Sequence, residues 1–355
     1  MYVYSYSELE HAKQYFLENG FCVIKDIVDD DLINKRINEI WTHPAYLGNG
    51  LIDRNNLETW SNDNNWYTDD KGFLDLNGGY SYADLEYYWK IRFNPNIVAT
   101  FKYFLEEDIL LRLDRTGIMR PTKNIQLNNG DNGDNGDIID KEEWKTTDGW
   151  LHVDYNPYID YEKFNIQGLF TLTEQTHTSG GFCCVPEFNK RIYDWRKQHE
   201  KNEIDFDDIY FFDKNDPIQK DIFKLEAPRG SLILWDGRTP HSNYSNNDNT
   251  FRIVDYVNFD RRSSPSNTVI QRHMKLGLEQ SLCKKDSYFP NNIKDEYKSL
   301  INYQKYKNLI KTNKEREGYK LYKEACKLET LGDYMKAIKL YRKSFKLCPI
   351  IENTI

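Results

Sequence analysis

In the stretch Trp150-Leu-His-Val-Asp154, His152 and Asp154 stand two residues apart. In an extended strand such residues share a face, so both side chains reach one ion. A second histidine, His241, ends the run Gly230-Ser-Leu-Ile-Leu-Trp-Asp-Gly-Arg-Thr-Pro-His241, where an apolar strand breaks into a Gly/Pro turn. Two imidazoles and one carboxylate on one face of an octahedron leave three positions open, the arrangement with which non-haem Fe(II) activates O2. Zinc prefers tetrahedral nitrogen and sulfur surroundings and matches this set less well.

Eleven residues after His241, Arg252 opens the alternating run Phe251-Arg-Ile-Val-Asp-Tyr-Val-Asn-Phe259. If Val254 and Tyr256 face the interior, Arg252 does too, and a buried guanidinium needs an anion. A co-substrate with a distal carboxylate, 2-oxoglutarate, meets that need: its 2-oxo acid end chelates iron while the planar fork grips the far carboxylate. Either fragment alone is weak, because His-x-Asp is common and a lone histidine at a strand end is usually a capped or core residue. The order of the four residues, in a chain with only seven histidines, favours the site.

These residues carry a resemblance to the phytanoyl-CoA dioxygenase-like branch of Fe(II)/2-oxoglutarate oxygenases, running from about Tyr6 to Phe259. It includes Phe16-Leu-Glu-Asn-Gly-Phe-Cys-Val-Ile24, Trp89-Lys-Ile-Arg-Phe-Asn-Pro95, Leu113-Asp-Arg115, Trp150-Leu-His-Val-Asp-Tyr-Asn-Pro157 and Gln167-Gly-Leu-Phe-Thr-Leu-Thr173. Its most specific segment is Leu234-Trp-Asp-Gly-Arg-Thr-Pro-His-Ser-Asn243. The resemblance implies iron on His152, Asp154 and His241 and the co-substrate carboxylate on Arg252. It also implies hydroxylation of a substrate coupled to conversion of 2-oxoglutarate into succinate and CO2, with ascorbate as a supporting reductant. Arg120 matches a basic residue near the family's co-substrate, and Gln167, on an alternating face with Leu169 and Thr171, is a second co-substrate candidate. Arg115, Tyr155 and Asn156 are candidates for the substrate pocket, although salt bridges and strand caps explain them nearly as well. Because Asp154 supplies a carboxylate ligand, no position is left for chloride, and hydroxylation is expected over halogenation.

Two departures stand out. After Gly180-Gly-Phe-Cys-Cys-Val-Pro186 the chain reads Glu187-Phe188-Asn189, without the turn glycine and the histidine usual in the family. That loop borders the substrate side, so the substrate does not carry over: small molecules, acyl thioesters and protein side chains all stay open. The second is an insertion between Pro121 and Trp150. Its residues 128–140 form a low-complexity Asn/Gly/Asp segment, which fails the EF-hand spacing at Gly133 and reads as a surface loop.

Positioning such a site calls for a mainly β domain with flanking helices. The expected core is a double-stranded β-helix, a jelly-roll, over residues 1–265, with the metal at the mouth between its sheets. Residues 7–18 predict a helix with Ser7 as N-cap and Glu10 completing a capping box, followed by a strand at 21–25. A second helix is predicted from Asp30 to about Trp41 on the stripe Leu32, Ile33, Ile37 and Ile40. The aromatic stretch 45–82 reads as an irregular packed cap or as a wall over the substrate mouth.

Residues 266–355 form a basic helical region. It includes a hairpin resembling one tetratricopeptide repeat at 318–351, with Leu321, Ala325 and Leu328 on one helix, a Gly332-Asp-Tyr334 turn, and then Ala337, Tyr341, Ser344 and Pro349. One repeat cannot bury its own apolar face, so it packs on neighbouring helices or on a protein partner. Between 284 and 346 there are 17 Lys/Arg against 8 Asp/Glu, a basic appendage on a chain of net charge −8. That balance disfavours nucleic acid or an anionic membrane as a partner of the main body. No apolar run is long enough to span a bilayer, the first residues lack a secretory pattern, and a cytoplasmic protein is expected. Six cysteines in this length do not form a disulfide framework; Cys22, Cys183 and Cys184 are expected as reduced core residues. Two other functions compete with the oxygenase: a jelly-roll metalloenzyme that does not use O2, which would not need Arg252, and an idle scaffold acting through its helical end.

Overall fold

The structure, a computed structural model, describes residues 2–43, 51–61, 66, 74–76, 84–126, 138–159, 165–199, 209–280, 288–302, 305, 311–330 and 333–352. The insertion at 128–137, the aromatics Tyr67, Tyr80 and Tyr82, and Gly332 of the expected turn lie outside these residues. The chain divides into two units. One holds most of the chain up to Phe259; the other gathers residues 108–113 with the chain from Asp260 onward, so a short segment from the middle of the sequence belongs to the C-terminal unit.

The first unit is built on two sheets, an arrangement consistent with a jelly-roll core. The larger has the order Val3–Ser5, Phe21–Lys25, Leu232–Asp236, Ile166–Thr171, Arg252–Tyr256, Thr116–Met119 and Leu74–Leu76. All its pairings are antiparallel except the one joining Val3–Ser5 to Phe21–Lys25. The smaller has the order Tyr210–Phe211, His152–Val153, His241–Tyr244, Gly181–Cys184 and Phe223–Lys224. Leu169, Ile233, Trp235 and Val254 of the larger sheet pack with Phe182 and Cys184 of the smaller in one buried cluster, so the inner faces meet across a shared core. Apolar residues at alternate positions leave the other set for the outer faces, where helices cover the larger sheet. Gly168 shows how tightly: a Cβ there would stand 2.8 Å from the Val257 carbonyl and 2.9 Å from the Phe101 ring of the helix Pro95–Leu105.

Local details depart from the sequence reading. The first helix runs Leu9–Asn19 after a 3-10 turn at Tyr6–Glu8, and the capping box is Ser5 with Glu8, not Ser7 with Glu10. Glu8 accepts from both the Ser5 amide and hydroxyl, which satisfies the earlier turn and draws the start of the helix back. The helix Asp30–Thr42, capped by Asp29, buries Ile33 and Ile40, but it also buries Arg36 completely. Arg36 donates to Asp255, Glu39 and Thr116, and Arg92 lies 3.5 Å from Asp255, so a charged network joins this helix to the outer face of the larger sheet. Cys183 and Cys184 are free and buried and point to opposite faces: Cys184 enters the core, while Cys183 touches Ser242.

In the second unit, the helix Asn267–Gln280 is tied to the 108–113 segment: Arg272 donates to the Leu113 carbonyl and His273 Nε2 lies 2.7 Å from that of Leu111. Helices Asn313–Thr330 and Tyr334–Leu347 pack together, with Ala325 and Ala337 buried and Tyr322 against Tyr341. No described helix is long and apolar enough to cross a membrane.

Candidate metal centre

His152 and His241 face each other directly across the smaller sheet, since their Cα atoms are partners in the antiparallel ladder. Their rings lie 4.3 Å apart between centroids. Asp154, two residues past His152, completes the group: its Oδ1 lies 3.6 Å from His152 Nε2 and its Oδ2 lies 3.7 Å from His241 Nε2. The three residues offer ligand atoms within 4.8 Å of one another. The two histidines are buried and the carboxylate is partly exposed, as a site at the edge of the two sheets requires.

The donor set fits a divalent cation in its detail. His241 Nδ1 lies 2.8 Å from the Thr239 carbonyl, which can only accept, so Nδ1 carries the proton and Nε2 presents its lone pair to the site. Burial lowers the pKa of His241, and burial together with the neighbouring His241 lowers that of His152; Asp154 opposes both shifts. Both imidazoles are therefore neutral near pH 7, the form that ligates a metal. Trp150 and Phe211 stack on His152, and Trp235 and Phe182 pack on His241, which fixes both rings.

Arg252 lies on the inner face and is completely buried. Its Nη2 donates to Asn243 Oδ1 at 3.2 Å, while Nε and Nη1 have no acceptor among the described residues. Burial lowers its pKa, opposed by the nearby Tyr256 and Tyr244. A buried guanidinium with two free donors is the complement of a carboxylate.

The remaining sequence candidates are placed differently. Gln167 is on the inner face as expected, but its amide donates to Asp154 Oδ2 at 2.5 Å, so it meets the metal-binding carboxylate. Arg120 is not brought to the clamp. Gly117 and Met119 point inward, against Val254 and toward Gly180, while Thr116 reaches the outer-face Arg36. Arg120 continues the outward set: its guanidinium lies over Trp66 and Trp144 and donates to the Trp60 carbonyl, beneath the aromatic cap. Arg115 is exposed over the Tyr256 ring. The Tyr155 hydroxyl accepts from the Asn165 amide, and Asn156 caps a turn through the Tyr158 amide. Asn243 and Phe211 were not singled out by the sequence reading. Asn243 has a local signal, being two residues from His241; Phe211 has none, because it meets His152 only through strand pairing.

A facial group of two histidines and one carboxylate in a two-sheet core defines the class of mononuclear non-haem iron oxygenases. Residues 16–254 match the phytanoyl-CoA dioxygenase (PhyH) family. The chain belongs to that family. A Dictyostelium discoideum protein named as a candidate phytanoyl-CoA dioxygenase is 25% identical over 315 residues, 79% of this chain and 83% of its own length. Among solved structures, GlcNAc Inducible Gene 2 from Candida albicans aligns with a TM-score of 0.49 at 16% identity, over 84% of this chain and 74% of that one. EctD from S. alaskensis, solved with 2-oxoglutarate and 5-hydroxyectoine, aligns with a TM-score of 0.42 at 12% identity, over 71% of this chain and 76% of that one.

Proposed function

We propose that the chain is an Fe(II)- and 2-oxoglutarate-dependent dioxygenase that hydroxylates its substrate and releases succinate and CO2. The observation that carries this reading is the pairing of a neutral two-histidine, one-carboxylate face with a buried, half-unpartnered Arg252 on the inner side of the same two-sheet core. When bound, iron and 2-oxoglutarate supply the oxidising chemistry, with O2 as oxidant. The protein's part is placement. His152, Asp154 and His241 hold one face of the ion, and Arg252, steadied by Asn243, holds the distal carboxylate. Trp150 and Phe211 shield His152, and Phe211, more than half exposed, borders the approach to it. Membership of the PhyH family supports this reading.

A metalloenzyme of another chemistry has no use for Arg252 as found, and an idle scaffold has no use for intact ligands. Incubation with Fe(II), ascorbate and 2-oxoglutarate in air, followed by assay of succinate, separates the three. Succinate above a no-enzyme control is expected; iron-loaded protein that forms none overturns the proposal. For the C-terminal region we propose a single tetratricopeptide-like hairpin. The burial of Ala325 and Ala337 supports it, and Tyr334, Met335 and Ile338 stay exposed as a surface for a protein partner.

A further inference from the structure

We propose that Gln167 is a positioning residue for the metal centre, one that keeps Asp154 a one-oxygen ligand. This inference rests on the metal-site reading above. Gln167 sits on the inner face of the strand Ile166–Thr171, directly opposite Trp235 in the next strand. Its neighbour Gly168 turns toward the Phe101 ring on the outer side, which leaves Gln167 no alternative but to point inward. There its Nε2 donates to Asp154 Oδ2, while its Oε1 is buried without a partner among the described residues. The amide is therefore committed to the carboxylate by its donor end alone.

The consequence concerns coordination number. A carboxylate binds an ion through one oxygen or two, and a facial site keeps three open positions only in the first case. A chelating 2-oxo acid takes two of them and O2 the third. The Gln167 amide takes up a lone pair of Oδ2, which stands 3.7 Å from His241 Nε2, and fixes the plane of the carboxylate, so Oδ1, 3.6 Å from His152 Nε2, is the oxygen that carries no bond from Gln167. Hydrogen bonds of this kind to metal-binding carboxylates are worth about ten- to a hundredfold in metal affinity.

The test uses the full chain and Co(II) and Fe(II) as probes. Gln167→Met preserves length and fill but removes the donor; Gln167→Glu preserves shape but replaces the donor with an acceptor facing Asp154. Circular dichroism checks that each folds. Both are expected to bind Co(II) about ten- to a hundredfold more weakly than the parent. At saturating Fe(II), under anaerobic conditions, the absorbance band of the 2-oxoglutarate chelate is expected to weaken in Gln167→Met, because the released Oδ2 competes for a position. A merely structural glutamine would alter the melting temperature without this pattern. If either folded variant binds Co(II) as tightly as the parent and forms the full chelate band, the assignment is overturned. If the parent itself binds neither metal, the metal-site reading falls with it.

Discussion

Asn243 holds Arg252, at 3.2 Å, from a position two residues past the ligand His241 on the same strand face. The middle strand of the smaller sheet thereby places both ends of the proposed co-substrate site. Under the proposed function, His241 sets where the 2-oxo acid binds, and Asn243 sets where the guanidinium meets the far carboxylate. The two sheets are thus registered through the site as well as through their apolar core.

Removing the charge at Arg252 is expected to separate co-substrate binding from metal binding. Arg252→Gln leaves a buried carboxylate unpaired, at a cost of roughly 2–5 kcal/mol. That corresponds to a rise of about thirtyfold to several thousandfold in the 2-oxoglutarate dissociation constant. Asn243→Ala, which loses one hydrogen bond to a charged group, should cost less, about 1.5–3 kcal/mol. Anaerobic titration of the Fe(II) protein with 2-oxoglutarate measures both. Unchanged affinity in Arg252→Gln would move the clamp to another residue, and the aromatic surroundings of Arg120 make that side chain a poor substitute.

His152→Ala and His241→Ala are each expected to abolish 2-oxoglutarate turnover while the protein stays folded. Each removes a ligand at the edge of the core and no member of its apolar cluster, although His241 packs on Phe182 and Trp235. In the parent, saturating metal should raise the melting temperature, since a ligand that binds only the folded state stabilises it. Chelation should reverse that gain, and neither histidine variant should show it. Turnover by purified His152→Ala above background would contradict the assignment.

The nearness of His152 to Asp154 and the inward placement of Arg252 were legible in the sequence because residues two apart in an extended segment share a face whatever the rest of the fold does. The expected strand at 21–25 and the helix from Asp30 were legible for the same reason, through local periodicity. What escaped is decided by partners far along the chain. Gln167 and Asp154 are 13 residues apart and meet only because two sheets close on each other. Phe211 meets His152 across a ladder, and Arg36 reads as a solvated helix residue until Asp255 arrives from 219 positions away. Arg120 was misplaced because a sequence does not reveal that Trp60, Trp66 and Trp144 enclose it on the outer side.

The network around Asp255 predicts acid sensitivity. Burial raises this carboxyl's pKa, but Arg36 and Arg92, with hydrogen bonds from Arg36 and Thr116, outweigh it and bring the value down to about 2 from 3.8. A depressed folded pKa means that the contribution to stability is fully present above the unfolded value and is lost as pH falls through the window from about 4 to about 2. The contribution is on the order of 2 kcal/mol. Asp255→Asn, leaving the buried Arg92 beside a neutral partner and Arg36 with Glu39 as its remaining carboxylate, should cost about 3–5 kcal/mol near pH 7 and flatten the dependence on pH in that window. Urea unfolding of parent and variant at pH 7 and at the lowest pH where the parent folds provides the comparison. A parent whose stability is level down to pH 2 would remove the network from the account.

Glu187 stands where the resemblance to the family implies a turn glycine, and the turn is still made. Its φ is +59°, in the left-handed region, and it precedes the helix Phe188–Gln198. The backbone is held there by the Glu187 amide donating to the Asn19 carbonyl, and the side chain adds an exposed pair with Lys190. A residue with a Cβ pays roughly 1–2 kcal/mol in this conformation, whereas glycine adopts it freely. The exposed ion pair returns little of that. Glu187→Gly is therefore expected to stabilise the protein, by about 1 kcal/mol once the greater freedom of glycine in the unfolded chain is set against the relieved strain. The shift should appear as a higher urea midpoint with an unchanged slope. Succinate formation should be unaltered, because Glu187 touches neither ligand nor clamp. A lower midpoint would mean that the Lys190 pair holds the turn and that the strain inferred from φ is relieved elsewhere.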